Sequence, residues 1–138
     1  MAIITIKQLQ QDISTRFKSE NSYTYFGIDT INYEFKFNSL LITVGHFTNN
    51  NLYYRFTFKD VIAYTVIEEF FLKFNEKEEF ETFAFFGISK NSNFKNNIAP
   101  DGLFEPYLDG KLEIKTYRIF AQNNFIDIIT KIEPLIEV

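Results

Sequence analysis

The residues of this 138-residue chain that could do chemistry are an adjacent glutamate pair, Glu68 and Glu69, and a single histidine, His46. Two carboxylates act as general acid and general base when they converge on one substrate. Glu68 and Glu69 follow a run of β-branched residues, and neighbouring side chains of a strand point to opposite faces. The pair therefore does not predict an acid–base couple.

His46 follows alternating apolar residues, so we expect it at a strand end, hydrogen-bonded to the loop or to solvent. The sequence shows no partner that would orient it as a catalytic base. With one histidine and no cysteine, a disulfide framework, a thiolate zinc site, a cysteine nucleophile and any chemistry that needs two imidazoles are excluded. Scattered single glycines exclude a phosphate loop, and no carboxylate spacing matches a calcium loop. We expect no enzyme activity, no cofactor and no metal.

The acidic charge of the chain is concentrated in residues 68–81. This segment holds six glutamates and two lysines, and its net charge of -4 equals that of the whole chain. Four phenylalanines are interleaved with these glutamates, so the segment could attract a basic protein and bury aromatic anchors against it. A solvated loop with its aromatic residues turned inward is the alternative. The predicted partner-binding residues, which include acids of the following loop, are Glu68, Glu69, Glu76, Glu78, Glu79, Glu81, Asp101, Glu105 and Asp109.

Charge also bears on nucleic acids and membranes. The 14 basic residues against 18 acidic ones leave no basic stripe that would release counterions from a phosphate backbone, although tyrosines on a sheet can stack bases. Polar residues interrupt every apolar stretch before it reaches the length of a membrane span or a signal peptide. We therefore expect a cytoplasmic protein that binds neither nucleic acid nor membranes.

The elements that position these residues begin with a helix. Thr5 and Gln8 form a capping-box pattern, and apolar residues recur at spacings of three and four as far as Phe17. This spacing predicts an amphipathic helix over residues 6–20. We expect its apolar stripe to pack on a sheet.

Alternating β-branched and aromatic residues predict strands after this helix. The predicted strands cover residues 23–26, 33–37, 40–44, 53–58, 61–67, 82–89 and 111–121. Residues 68–81 fit a helix, a strand or a loop, and residues 90–110 predict the longest loop. An asparagine at 123 or 124 predicts the cap of a short C-terminal helix that Pro134 ends, and residues 135–138 are then a tail or a short edge strand.

These elements predict a single α+β domain over residues 1–138. Its core is a mostly antiparallel twisted sheet of about six strands, one face of which is covered by the N-terminal helix and the short C-terminal helix. The composition, 46% apolar and 19% aromatic, supplies ample core material for one domain of this length.

Two stretches resemble a known family. Phe58-Lys-Asp-Val61, followed by Tyr64 and the glutamate pair, is similar to a pattern in small bacterial immunity proteins, which neutralise toxin domains of polymorphic and contact-dependent growth inhibition systems. The stretch from Tyr117 to Ile129, with Pro134 after it, resembles the usual close of these proteins: a strand with a Tyr-Arg pair, a polar turn, a helix and a proline.

The resemblance implies a cytoplasmic protein without catalytic activity that binds one cognate toxin domain, often a basic nuclease, and blocks its active site or substrate path. We interpret Tyr117, Arg118, Phe125, Ile126 and Asp127, which carry the resemblance, as elements of the fold and not as toxin contacts. The alternative function is a small-molecule-binding or structural interaction module without catalysis.

Overall fold

The computed structural model of the protein describes residues 2–68, 79–92, 94–95, 114–122 and 124–138. Its elements in chain order are β1 (Ile3–Ile4), α1 (Ile6–Phe17), β2 (Phe26–Glu34), β3 (Ser39–His46), β4 (Asn49–Phe58), β5 (Val61–Glu68), β6 (Glu79–Phe83), β7 (Phe86–Asn91), β8 (Lys115–Phe120), β9 (Asn124–Thr130) and β10 (Leu135–Glu137). Single turns of 3-10 helix precede β2 and β3, at Tyr23–Tyr25 and Phe35–Phe37.

Helix α1 begins at the predicted capping box. The Thr5 hydroxyl accepts a hydrogen bond from the Gln8 amide at 3.1 Å, and the Gln8 side-chain carbonyl accepts one from the Thr5 amide at 2.8 Å. The helix buries Leu9, Ile13 and Phe17 and ends at Phe17, three residues before the predicted end. No helix in the described ranges is long and apolar enough to cross a membrane.

Within the described residues, the strands form two antiparallel sheets of five strands each, which together with α1 make an α+β fold. Sheet A has the order β1-β10-β4-β3-β2, and sheet B has the order β5-β9-β8-β7-β6. The prediction of one sheet of about six strands is therefore corrected to two sheets. Alternation within a strand shows which side chains share a face, but it does not show how the strands divide between layers.

The predicted C-terminal helix is wrong, because residues 124–130 form strand β9. This strand lies between β5 and β8, and six of its seven residues are buried. A strand buried on both faces lacks the regular alternation of apolar and polar residues, so a short sequence window does not distinguish it from a buried helix. Strand β10 is likewise not an edge, because it pairs with β1 on one side and β4 on the other.

The predicted strands 40–44, 53–58 and 61–67 lie within β3, β4 and β5, whereas most of the predicted strand 23–26 is the 3-10 turn at Tyr23–Tyr25. Two further predictions are shifted. The predicted strand 82–89 is a hairpin of β6 and β7, turning at Ala84 with a φ of 49°. The predicted strand 111–121 is shorter, since β8 covers Lys115–Phe120. Residues 69–78, and most of the predicted loop 90–110, lie outside the described residues.

One apolar core joins α1 to both sheets. Phe56 of sheet A stacks on Phe86 of sheet B with ring centroids 5.5 Å apart, and Phe58 packs against Tyr117 at 5.7 Å. From α1, Phe17 packs edge-on against Phe26 at 5.3 Å. The core therefore lies between the sheets, and α1 contributes one apolar stripe to it.

The α1 stripe gives a stability prediction. Leu9 is 0% exposed and Ile13 is 2% exposed, so replacing either by Ala should lower the free energy of unfolding by about 2 to 5 kcal/mol, through lost burial and the cavity left behind. Urea denaturation measures this loss, and Gln11→Ala on the exposed face is the matched control. Losses below about 0.5 kcal/mol at both core positions would contradict the observed packing of the helix.

Candidate functional site

The structure places three of the nine predicted partner-binding residues. Glu68 ends β5, while Glu79 and Glu81 belong to β6, on the opposite edge of sheet B. The Glu81 side chain is exposed. The other six predicted residues, Glu69, Glu76, Glu78, Asp101, Glu105 and Asp109, lie outside the described residues. Among the three, the backbone separates Glu68 from the other two by the width of the sheet.

A surface that sequence reasoning missed lies between β2 and β3. We call it the aromatic turn, and it consists of Phe35 and Phe37 of the 3-10 turn together with Tyr33 and Tyr64. Phe35 is 85% exposed and Phe37 is 62% exposed. The Tyr33 ring packs against Phe35 at 4.9 Å and stacks on Tyr64 of sheet B at 5.2 Å. Two large apolar side chains thus project into solvent from a base of stacked rings.

Asn38 holds this turn in place. Its φ of 47° lies in the left-handed region, which asparagine tolerates better than most residues. Its amide bonds back to the Phe35 carbonyl, its side-chain oxygen accepts a hydrogen bond from the Tyr33 hydroxyl at 3.1 Å, and its carbonyl accepts one from the Val61 amide at 2.9 Å. The turn is therefore hydrogen-bonded both within its own hairpin and to β5. These bonds fix the backbone that carries Phe35 and Phe37.

The sequence contained a signal for the aromatic turn. Hairpin turns are normally rich in Gly, Asn, Asp and Ser, and here Phe35 and Phe37 lie just before the turn residues Asn38 and Ser39. Alternation that continues through Phe37 predicts a strand over residues 33–37. The strand in fact ends at Glu34, and the next three residues leave the sheet.

A groove runs between α1 and the β6–β7 hairpin. It consists of two adjoining cavities of about 540 and 360 Å³, which share Gln10, Thr82 and Phe83 in their walls. The larger cavity is lined at its rim by Lys7, Glu81 and Glu133. Glu81, from the predicted acidic set, therefore lies beside this groove.

His46 lies at the end of β3 and is 4% exposed. Its Nδ1 accepts a hydrogen bond from the Thr48 amide at 3.2 Å, which leaves Nε2 as the donor to the Glu20 carbonyl at 2.9 Å. The imidazole also stacks on Phe17 at 4.2 Å. The two hydrogen bonds of the imidazole thus connect the β3–β4 turn to the segment after α1. His46 therefore has a structural role.

A second tether joins α1 to sheet A. The buried Tyr54 hydroxyl donates a hydrogen bond to the Asp12 carboxylate at 2.5 Å, and the Arg16 guanidinium donates to the other oxygen of Asp12 at 3.0 Å. Burial, reinforced by the hydrogen bond to Asp12, raises the pKa of Tyr54 far above its usual value. Burial, together with the Glu133 carboxylate, raises the pKa of Tyr117 to about 12.

The named residues of the second resembling stretch, Tyr117, Arg118, Phe125, Ile126 and Asp127, are buried in sheet B. Arg118 of β8 lies directly opposite Asp127 of β9 and donates two hydrogen bonds to its carboxylate, at 2.7 and 2.9 Å. The Phe80 ring lies over the guanidinium at 4.0 Å. A Cβ at Gly87 would come within 3.3 Å of the same ring, so glycine permits this cover. The Arg118–Asp127 pair is therefore buried and connects two neighbouring strands.

No group of three or more His, Asp or Glu side chains comes together as metal ligands in the described ranges. The absence of a metal and of catalysis stays a prediction.

Because the pKa values of Tyr54 and Tyr117 are raised, stability should fall in alkali. The unfolded chain loses its tyrosine protons near pH 10, while the folded chain keeps these two until about pH 12 or above. Above pH 10 the folded state therefore binds more protons than the unfolded state, so the free energy of unfolding should decrease as the pH rises. Below pH 10 the stability contributed by these two tyrosines is fully present. Tyr54→Phe should flatten this decline, as urea denaturation at a series of pH values would show. An unchanged slope in the variant would contradict the assignment.

Comparison with known proteins adds no relative: no family model, no curated protein and no solved structure matches the chain.

Proposed function

We propose that this chain is a small bacterial immunity protein that binds and neutralises a cognate toxin domain in the cytoplasm and has no catalytic activity of its own. The observation that supports binding is the aromatic turn, with Phe35 and Phe37 held largely in solvent by the Asn38 hydrogen bonds. Exposed aromatic side chains on a fixed backbone are typical of the anchors that dominate protein–protein affinity.

The charge of the chain supports a basic partner. The net charge of -4 comes from residues 68–81, and of these Glu68, Glu79 and Glu81 lie on the two edges of sheet B. Acidic residues at the rim of an interface attract a cationic protein and speed its approach. A basic nuclease domain is the toxin class that suits this charge, and the family resemblance of the sequence points the same way.

Neutralisation is tested with the toxin domain encoded directly upstream of this gene, since immunity genes are expected to follow their toxins. Co-expression of the wild-type chain should rescue growth of cells that express the toxin domain, and the purified proteins should form a stable complex. Normal toxicity in the presence of folded wild-type chain, without a complex, would refute the proposed function.

The aromatic turn should act on the lifetime of this complex. Phe35→Ser and Phe37→Ser should each speed dissociation by about tenfold or more, because anchor residues act mainly on the dissociation rate. Folding stability should change by less than about 0.5 kcal/mol, since both side chains are exposed in the free protein. Surface plasmon resonance measures the rates, and Ile132→Ser, another exposed apolar position, is the control. Equal dissociation rates for all three variants and wild type would place the interface elsewhere.

The acidic residues should act on association instead. Changing Glu68, Glu79 and Glu81 to Gln should slow association by about tenfold at low ionic strength and flatten its dependence on salt, while dissociation changes less. Stopped-flow kinetics at two ionic strengths measures both. A control with Asp29→Asn, Asp60→Asn and Glu137→Gln removes the same charge away from this segment, so equal slowing by the two variants would indicate net charge alone.

The groove beside α1 supports a second candidate function, a small-molecule-binding module. Its larger cavity of about 540 Å³ falls within the usual range for ligand pockets, and it combines Phe83 and Ile88 with the charged rim of Lys7 and Glu81. A rise in melting temperature with one metabolite class, abolished by Ile88→Lys, would favour this function over toxin binding.

A further inference from the structure

Among the described elements, four strands lie at the ends of the two sheets, and one of the four lacks the features that usually protect an edge strand. The end of a sheet presents unpaired backbone N–H and C=O groups, so soluble proteins protect it with very short strands, charged residues or bulges. Strands β1 and β2 end sheet A, while β5 and β6 end sheet B.

Three of these edges are protected. β1 is two residues long. β2 carries Asp29 and Glu34, and its pairing with β3 is interrupted by a bulge between Ile28 and Thr30. β6 carries two glutamates within five residues, and its register shifts between them.

β5 lacks this protection over most of its length. Its eight residues contain no charge before Glu68, and its exposed row is apolar, with Ile62 37%, Tyr64 37% and Val66 45% exposed. The amide of its first residue, Val61, donates a hydrogen bond to the Asn38 carbonyl. A bulge in its pairing with β9 lies at the same end, between Val61 and Ala63. Beyond that point, β9 is its one strand neighbour among the described elements.

We propose that β5 pairs antiparallel with β5 of a second copy of this chain, about a two-fold axis at Thr65. In this register Thr65 faces Thr65 of the other copy, Tyr64 faces Val66, and Ala63 faces Ile67. Aromatic residues pair favourably with β-branched ones across strands, and so do two threonines. A small residue opposite a large one also fills the space between strands, so the sequence of β5 complements itself.

The distribution of charge along β5 also favours a second copy of this chain as its partner. Each copy contributes one glutamate, Glu68, which faces Ile62 of the other copy at one end of the ladder. The two glutamates are then six residues apart along the ladder, roughly 20 Å, which exceeds the screening length of physiological salt. No like charges oppose each other, and the closed two-fold contact uses the same patch on both copies. The two B sheets join into one sheet of ten strands. The dimer goes beyond the proposed function and does not depend on it.

The mass in solution tests the dimer directly. Sedimentation velocity at about 100 μM, above the micromolar dissociation constant expected for a small interface, should give twice the monomer mass for the wild-type chain. Val66→Lys should give the monomer mass with an unchanged far-UV spectrum and melting temperature, because this side chain is already half exposed. Ile132→Lys, at a similar exposure but outside β5, should remain dimeric.

A monomeric wild-type chain would overturn the proposal and leave the β5 edge to a strand of another protein. A dimer that survives Val66→Lys would overturn it as well, because the contact would then lie on another face.

The absence of cysteine allows a test of the register. Thr65→Cys places one thiol on each side of the two-fold axis, at a separation that a disulfide spans, so mild oxidation should crosslink most of the protein as dimer. Ile62→Cys is the control, because its two copies lie roughly 20 Å apart in this register and should stay uncrosslinked. Equal crosslinking of the two variants, or none in Thr65→Cys, would overturn the proposed pairing.

Discussion

The contact between the two sheets, made largely by aromatic rings, is the interaction on which the rest of the structure depends. Phe85 packs against Phe26 at 4.5 Å and Tyr54 at 5.6 Å, while Phe56 stacks on Phe86. Each such ring buries a large apolar area, and a five-stranded sheet with one apolar face is stable only when that face is covered. With 18 phenylalanines and no tryptophan, the chain builds this contact mainly from rings that carry no polar group, to which Tyr54 and Tyr117 add their rings.

Polar interactions then fix the elements around this core. The Tyr54–Asp12 hydrogen bond attaches α1 to β4, and His46 attaches the end of β3 to the segment after the helix. Within sheet B, the buried Arg118–Asp127 pair fixes the register of β8 against β9, since the two residues lie directly opposite each other. A charge inside a sheet is tolerated only when its partner is in place, so this pair penalises a shifted register more than an apolar pair would.

Both proposed binding surfaces lie where the two sheets cease to cover each other. The Tyr33–Tyr64 stack joins the edge strand β2 of sheet A to the edge strand β5 of sheet B. Beyond this stack, Phe35 and Phe37 are mostly exposed, and the apolar row of β5 is only partly covered. The alternating apolar residues that form the core between the sheets therefore leave an exposed apolar surface at the margin of the sheets, where another protein can bind. Exposure here follows from position in the sandwich and not from a change in residue type.

Local patterns were sufficient for some elements and not for others. The capping box at Thr5 and the spacing through Phe17 predicted α1, because both signals lie within one or two helical turns. The apolar run after Asn124 was misread as a helix, because its central place in sheet B depends on pairing with residues far away in the chain. The acidic set was identified from charge alone, and only the division of β5 and β6 between opposite edges separated Glu68 from Glu81.

The sequence by itself determined the α+β class, the first helix, most of the strands and the concentration of acidic charge in residues 68–81. These are properties of composition and of spacings shorter than about ten residues, which the chain carries whatever its partners. The tertiary structure decided that the strands divide into two sheets, that β9 is central and β5 is an edge, and that two phenylalanines of one turn face solvent. Each of these depends on which distant segments pair, and the free energy of that pairing is a property of the assembled layers and not of any one segment.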